Sequence, residues 1–331
     1  MTGRGVAVVT GGSAGLGRAI VRELAARGWD VAVIARGPDG VEAAAEEVRA
    51  TGRRGLAVTA DVAESAQVEA AADRIESELG PIELWVNDAM TGVFAEFLDV
   101  APEDYERVTR VVYLGCVNGT RAALSRMVPR GRGHVIQVGS ALAHRGIPLQ
   151  AAYCGAKHAI SGFTESVRTE LEHRRSPVRI SQVDMPALNT PQFDWVKSAL
   201  PEHPQPVPPV FQPEVGARAV ADVADRPRRR SWVGLSTVAT VLGNRVSPWL
   251  LDEYLARTGY RGQQAPDKGR QSMPPNLYEP VPGDHGAHGS FDDRAKGDSV
   301  QQWLVRHRTA LLAGAGATAA LAAGLAGRRS R

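Results

Sequence analysis

Between Gly5 and Leu235 the chain alternates short runs rich in Val and Ile with longer, Ala-, Glu- and Arg-rich stretches of helical period. This alternation limits the fold more than any other feature. Runs that are almost continuously apolar suit strands covered on both faces, and strands separated by helical segments are joined in parallel. Strands are expected at 5–10, 30–35, 55–60, 82–86, 133–139, 178–184 and 231–235, with helices at 15–27, 41–50, 66–79, 102–127, 152–174 and 213–224. Right-handed crossovers then give an α/β fold: a doubly wound three-layer sandwich around a mostly parallel seven-stranded sheet, with its ligand crevice at the carboxyl ends of the strands.

The 331 residues suit one domain with an appendage, assigned to 1–260 with its core at 4–238. Residues 187–212 interrupt the rhythm with a proline-rich insertion, which reads equally as a substrate lid or a rigid surface loop. From 261 to 300 the chain turns to Gly, Pro, Asp and Gln with few apolar residues, the composition of a mostly disordered linker. A C-terminal helix is expected at 301–331. Within it, residues 309–327 carry no charge, which is about the length of a membrane span, but alanine and glycine dominate them. The stretch therefore reads either as an anchor or interfacial helix, or as a helix without membrane contact.

With 39 basic against 36 acidic residues and short basic clusters, the balance argues against a nucleic-acid surface. Cys116 and Cys154 stand far apart in apolar surroundings, so neither a disulfide framework nor a metal site is expected. The first strand begins without a leader-like segment, and a cytoplasmic protein is expected, attached to the inner face of a membrane if the tail inserts.

The stretch "TGGSAGLG", Thr10 to Gly17, follows the first strand and opens the first helix. Its glycines permit a tight turn and close approach to a pyrophosphate, whose charge suits the unpaired amides at a helix start. The end of the second strand carries Ala35 and Arg36 where an acidic residue would hold a ribose 2′-hydroxyl. A guanidinium there pairs with a 2′-phosphate, which favours NADP(H) over NAD(H).

Together these features resemble the short-chain dehydrogenase/reductase family, a Rossmann-type oxidoreductase family, over about residues 4–238; the C-terminal extension is atypical of it. The family's T-G-x-x-x-G-x-G turn matches Thr10, Gly11, Gly15 and Gly17, and the resemblance implies that Gly11, Ser13, Gly15, Leu16 and Gly17 bind the cofactor. Asp61 and Val62 match its adenine-contacting pair. "NDAM" stands for its N-N-A-G, with Asn87 and Ala89 fitting and Asp88 and Met90 departing. In "PALNTP", Pro186 and Thr190 match the segment that meets the nicotinamide, and Ala187 replaces a glycine.

For chemistry the resemblance implies Ser140, Tyr153 and Lys157, found at the family's spacing. Ser140 would hydrogen-bond the substrate oxygen and Tyr153 would exchange a proton with it. Lys157, one helical turn on, would lower the phenol's pKa from about 10 and hold the nicotinamide ribose. The family's fourth site member, an asparagine, aligns with Val112, and Asn118 lies nearly two turns away. His144 is a candidate for the substrate cleft or a solvated loop residue.

The first reading is therefore an NADP(H)-dependent oxidoreductase interconverting a carbonyl and a secondary alcohol, a small-molecule enzyme expected by resemblance to be a homo-oligomer. The second is a dinucleotide-binding sensor or scaffold with little or no turnover, tethered to a membrane if the tail is an anchor.

Overall fold

The structure is a computed structural model and describes residues 4–271 and 273–307. Its centre is a sheet of seven strands: β1 (Val6–Thr10), β2 (Asp30–Ala35), β3 (Gly55–Thr59), β4 (Ile82–Asn87), β5 (His134–Ser140), β6 (Arg179–Met185) and β7 (Arg230–Trp232). They lie in the order β7-β6-β5-β4-β1-β2-β3, and all six pairings are parallel. The order reverses between β1 and β4, and a crevice opens where the chain leaves these two neighbours in opposite directions.

The strands bury both faces because their side chains alternate. In β1, Ala7 and Val9 join a cluster with Ile20, Val21 and Leu24 of α1 (Gly15–Ala26), Val41 and Val48 of α2 (Pro38–Ala50), and Val215 and Val220 of α7 (Pro213–Asp225). Val6 and Val8 join a second cluster, with Val68 and Ile75 of α3 (Ser65–Leu79), Met127 of α5 (Gly115–Arg130) and Leu171 of α6 (Ala151–His173). Each fully buried Val, Leu or Ile contributes about 1.5–3 kcal/mol, so the two clusters supply most of the favourable term in folding. The expected three-layer architecture is the one observed.

The helix expected at 102–127 is three pieces in continuous succession: α4 (Pro102–Thr109), a wider π turn at Arg110–Leu114, and α5. Such a turn shifts the phase of the side chains that follow. Val112 within it is 1% exposed and packs among Val93, Val108 and Cys116. After β7, α8 (Gly234–Val246) and α9 (Pro248–Thr258) fold back beside the carboxyl edge of the sheet.

The C-terminal segment differs from its expectation as a disordered linker. Residues 261–271 and 273–299 lie against the domain, with Gln263, Ala265, Leu277, Ala287 and Phe291 all at most 2% exposed. Lys296 pairs with Phe211 in a two-residue bridge between strands, and Gln264 and Ala265 pair with Pro204 and His203. Composition misled because it counts the apolar residues of the segment alone. Five buried anchors and many backbone hydrogen bonds onto an existing domain surface suffice, and its prolines lower the entropy lost on ordering. The 309–327 stretch lies outside the described residues, and no described helix is long and apolar enough to cross a membrane.

One buried base links this core to pH. His134, at the start of β5, is 7% exposed and shares a 2.8 Å hydrogen bond with Ser181 on β6. Burial, reinforced by nearby Arg179, holds its pKa down at about 4. The unfolded chain therefore takes up a proton near pH 6.5 that the folded chain refuses until about pH 4, and stability is lost as pH falls through that window. Thermal unfolding followed from pH 7 to 4.5 is expected to show a falling midpoint, and His134→Gln is expected to flatten that slope.

Candidate active site

The carboxyl ends of β1 and β4 approach so closely that only glycine fits between them. Gly11 has φ of +73°, and a Cβ there would come 2.7 Å from the Ala89 Cα. Gly17, in the first turn of α1, would place a Cβ 2.2 Å from the Gly11 carbonyl oxygen. The turn is thus pressed against the loop after β4, and α1 starts at the floor of the crevice. Ala14 caps α1 without a side-chain hydrogen bond. Thr10 ties the arrangement together, its Oγ1 accepting from the backbone N–H of Asp88 and Ala89 at 3.1 and 3.3 Å.

A cavity of about 760 Å³ opens above this floor. Gly11, Ser13, Gly15, Leu16, Arg36, Asp61, Val62, Ser140, Tyr153, Lys157, Pro186 and Thr190 line it, so the structure gathers these sequence-derived candidates around one space. Gly17 and Asn87 stand behind it. Asn87 is 6% exposed, accepts from the Trp85 indole at 2.8 Å and donates to Thr120 and Gln137, joining β4 to α5 and β5. His144 is no cleft residue: its Nε2 lies 2.9 Å from Asp184 Oδ2, and its ring packs edge-on to Trp232.

Ser140 ends β5, and its Oγ accepts from the Leu142 N–H at 3.1 Å, which starts a short helical turn. Tyr153 stands in the first turn of α6. Burial pushes its phenol well above the usual range, the Ser140 hydrogen bond pulls it down, and Cys154 and Asp88 add to the rise. Lys157 is 3% exposed, donates to the Val138 carbonyl at 2.7 Å, and lies over the Tyr153 ring, 5.5 Å from its centroid. Burial pushes this ammonium down, opposed by Asp88, Cys116 and Asp184. Burial likewise pushes the Asp88 carboxyl up, against the pull of Lys157. Asn118 donates to the Val62 carbonyl at 2.9 Å, and Val112 is sealed in an apolar cluster.

Where Arg36 lines the cavity a second guanidinium comes near it, since Arg36 and Arg107 both donate to the Leu277 carbonyl, at 3.4 and 3.1 Å. Arg36 donates to the carbonyls of Asn276 and Tyr278, both at 2.5 Å, and Arg107 pairs with Asp61 at 2.6 Å. Burial holds the Arg36 pKa down, with the charge of Arg107 adding to the effect. The part of the cavity beyond Tyr153 is mainly apolar, walled by Leu142, Phe193, Trp195, Val207, Leu251 and Leu255. The proline-rich insertion thus supplies part of the wall.

Sequence reasoning missed three contributors. Arg18 is 1% exposed and ties the glycine turn to α2 through Glu47, Ser13 O and Gly40 O at 2.8, 3.1 and 3.1 Å. Arg107 comes from a helix remote in sequence, with no local signal. Residues 276–286 lie in the stretch whose composition reads as a linker. Gly17→Ala is expected to force the start of α1 away from the Gly11 carbonyl, lowering stability by about 1–3 kcal/mol in denaturant unfolding.

Comparison with known proteins agrees with this arrangement. The short chain dehydrogenase family profile matches residues 5–199. The uncharacterized oxidoreductase YxnA of Bacillus subtilis is 31% identical over 282 residues, covering 85% of this chain and 79% of the relative. A metagenomic short-chain oxidoreductase solved in complex with NADP is 26% identical, with a TM-score of 0.59 over 70% of this chain and 97% of its own. A short chain dehydrogenase/reductase of Burkholderia phymatum solved in complex with NAD shares the fold at 20% identity, with a TM-score of 0.68 over 75% of this chain and 95% of its own. With its parallel sheet, its glycine turn at the strand-order reversal and these relatives, the chain belongs to the short-chain dehydrogenase/reductase family, an oxidoreductase family whose members use a nicotinamide dinucleotide.

Proposed function

We propose that this protein is an NADP(H)-dependent oxidoreductase that interconverts a carbonyl and a secondary alcohol, with Ser140, Tyr153 and Lys157 as its proton relay. The observation that carries the reading is the convergence of these three side chains on one cavity wall, facing a glycine turn and a helix start across the same space. The residues present fit a dinucleotide. The floor at Gly11 has no room for a Cβ, and the start of α1 carries no side-chain cap. Ser13, Leu16 and Thr190 would hold the pyrophosphate, and Lys157 the nicotinamide ribose.

When bound, the nicotinamide supplies or accepts the hydride. The work of this chain is to position the substrate oxygen and move a proton. The Ser140 hydroxyl is the donor or acceptor that orients that oxygen. The Tyr153 hydroxyl gives it a proton in reduction and takes one in oxidation. A phenol held up by burial is a reluctant acid, so the reduction direction relies on a nearby positive charge, which a protonated Lys157 over the Tyr153 ring would supply. Lys157 meets the Asp88 and Asp184 carboxyls and the Cys116 thiol through space, and they oppose the effect of its burial.

The preference for NADP(H) is supported by the absence of a carboxylate at the end of β2 and by the paired guanidinium groups of Arg36 and Arg107. The apolar wall beyond Tyr153 supports a carbonyl compound with a bulky apolar body.

Turnover of purified protein with NADPH and NADH against bulky aliphatic and aromatic ketones and aldehydes tests the reading. Tyr153→Phe is expected to lower kcat at least about 100-fold while NADPH binding, followed by its fluorescence, stays within a few-fold; an equally active variant would refute the relay. Arg36→Ala is expected to weaken NADPH more than NADH by about tenfold. Equal losses would remove the 2′-phosphate argument, and the ratio is the measure because Arg36 also holds the C-terminal segment.

A further inference from the structure

Residues 276–291 cross the cavity and touch its lips in turn. Asn276 Oδ1 accepts from Thr91 after β4 at 3.3 Å, and the Asn276 and Tyr278 carbonyls accept from Arg36 after β2. The Gly283 N–H donates to Asp39 at the start of α2 at 2.9 Å, and Asp284 pairs with Arg18 of α1 at 3.1 Å. The Gly286 carbonyl accepts from the Gly15 N–H at 2.9 Å, and the Phe291 N–H donates to Asn189 after β6 at 3.0 Å. Buried side chains hold the crossing at its ends: Leu277 at 1% exposure on one side, Ala287 and Phe291 at 2% and 0% on the other.

Between these anchors the segment has an inner and an outer face. Pro280, Val281 and His285 line the cavity, whereas Tyr278, Glu279 and Asp284 are exposed. The space beneath is preserved, about 760 Å³ bounded on one side by Gly11, Ser13 and Asp61 and on the other by the crossing segment. A plug would have filled that space. The contacts of 278–286 are hydrogen bonds, one half-exposed ion pair and an edge-on ring contact of His285 with Trp195 at 4.8 Å, while the buried apolar anchors lie outside that stretch. Such contacts open at low free energy compared with buried apolar packing.

From this arrangement we propose that residues 276–291 are a strap forming the outer wall of the dinucleotide site, so that the dinucleotide enters and leaves only when 278–286 lift. The proposal rests on the dinucleotide reading above. It makes the strap a binding element: the Gly15 amide, which would otherwise be available to an anion, and two edges of Arg36 are committed to strap carbonyls. Retention of the dinucleotide then depends on the strap as well as on the glycine turn, and release is limited by strap opening.

The test measures NADPH release from the full chain by fluorescence after mixing with excess NADP+, together with NADPH affinity. The double variant Asp39→Ala, Asp284→Ala removes the acceptor of the Gly283 N–H and the Arg18 tie, both at exposed side chains. It is expected to release NADPH at least about tenfold faster and to bind it correspondingly more weakly. Hydrogen exchange of 278–286 in the unaltered protein is expected to slow when NADPH is added, which reads the strap even if the variant folds poorly. Equal release rates, or exchange unchanged by NADPH, would overturn the proposal. Tighter binding by the variant would also overturn it, since the segment would then compete for the site. Failure of the unaltered protein and the variant alike to bind NADPH or NADH would overturn the dinucleotide reading, and the strap with it.

Discussion

The carboxyl edge of the sheet depends on the contact between Gly11 and Ala89. Strands β1 and β4 are hydrogen-bonded neighbours whose following chains diverge to opposite faces, so the loops that leave them must pass each other before separating. A Cβ at either Gly11 or Gly17 would collide with backbone, and backbone cannot turn aside as a side chain can. Omitting those two carbons lets α1 start low in the crevice with its amides directed at the space above. The position of the cavity floor, the reach of Ser13 and Leu16 and the orientation of the α1 dipole all follow from that passage.

The relay side is built on a different constraint, the burial of charge. An ammonium at 3% exposure requires partners, and Lys157 has the Val138 carbonyl at hydrogen-bond distance with Asp88, Cys116 and Asp184 acting through space. The sheet supplies Val138, Asp88 and Asp184 from three strands or their ends and α5 supplies Cys116, so the lysine is held by the core rather than by its own helix. Beside it, the Asn87, Trp85, Thr120 and Gln137 network satisfies the polar groups that α5 brings against β4 and β5. Gly119 is part of the same fit, because a Cβ there would come 2.2 Å from Asn87 Oδ1. The position that aligns with the family's asparagine is an apolar one here, packed with Val108 and Cys116.

The C-terminal segment shows how little apolar content a chain needs when it folds onto a finished surface. Leu277, Ala287 and Phe291 fix its ends, and its backbone uses donors at the crevice rim that the domain leaves unpaired. Phe291 alone meets Phe193 and His203 edge-on and lies under Lys268 and Arg294. Together, the proline-rich insertion and this segment turn an open crevice into a cavity with a roof.

Much of the fold was legible in the sequence because its determinants are periodic or local. The strand and helix alternation from Gly5 to Leu235 dictated a covered parallel sheet, since runs such as Val6–Val9 have no polar face to offer water. The glycine spacing at 11, 15 and 17 marked the turn, and the spacing of Ser140, Tyr153 and Lys157 marked one wall of the cavity. Tertiary structure decided what those signals do not encode. Asn87 turned inward because α5 brings Thr120 against it, His144 was drawn to Asp184, and Arg107 reached Asp61 from a distant helix. Residues 261–271 and 273–299 escape a reading of composition for the same reason: their own side chains cannot form a core, and their order comes from amides, carbonyls and apolar hollows on a domain surface that exists only once the sheet has folded.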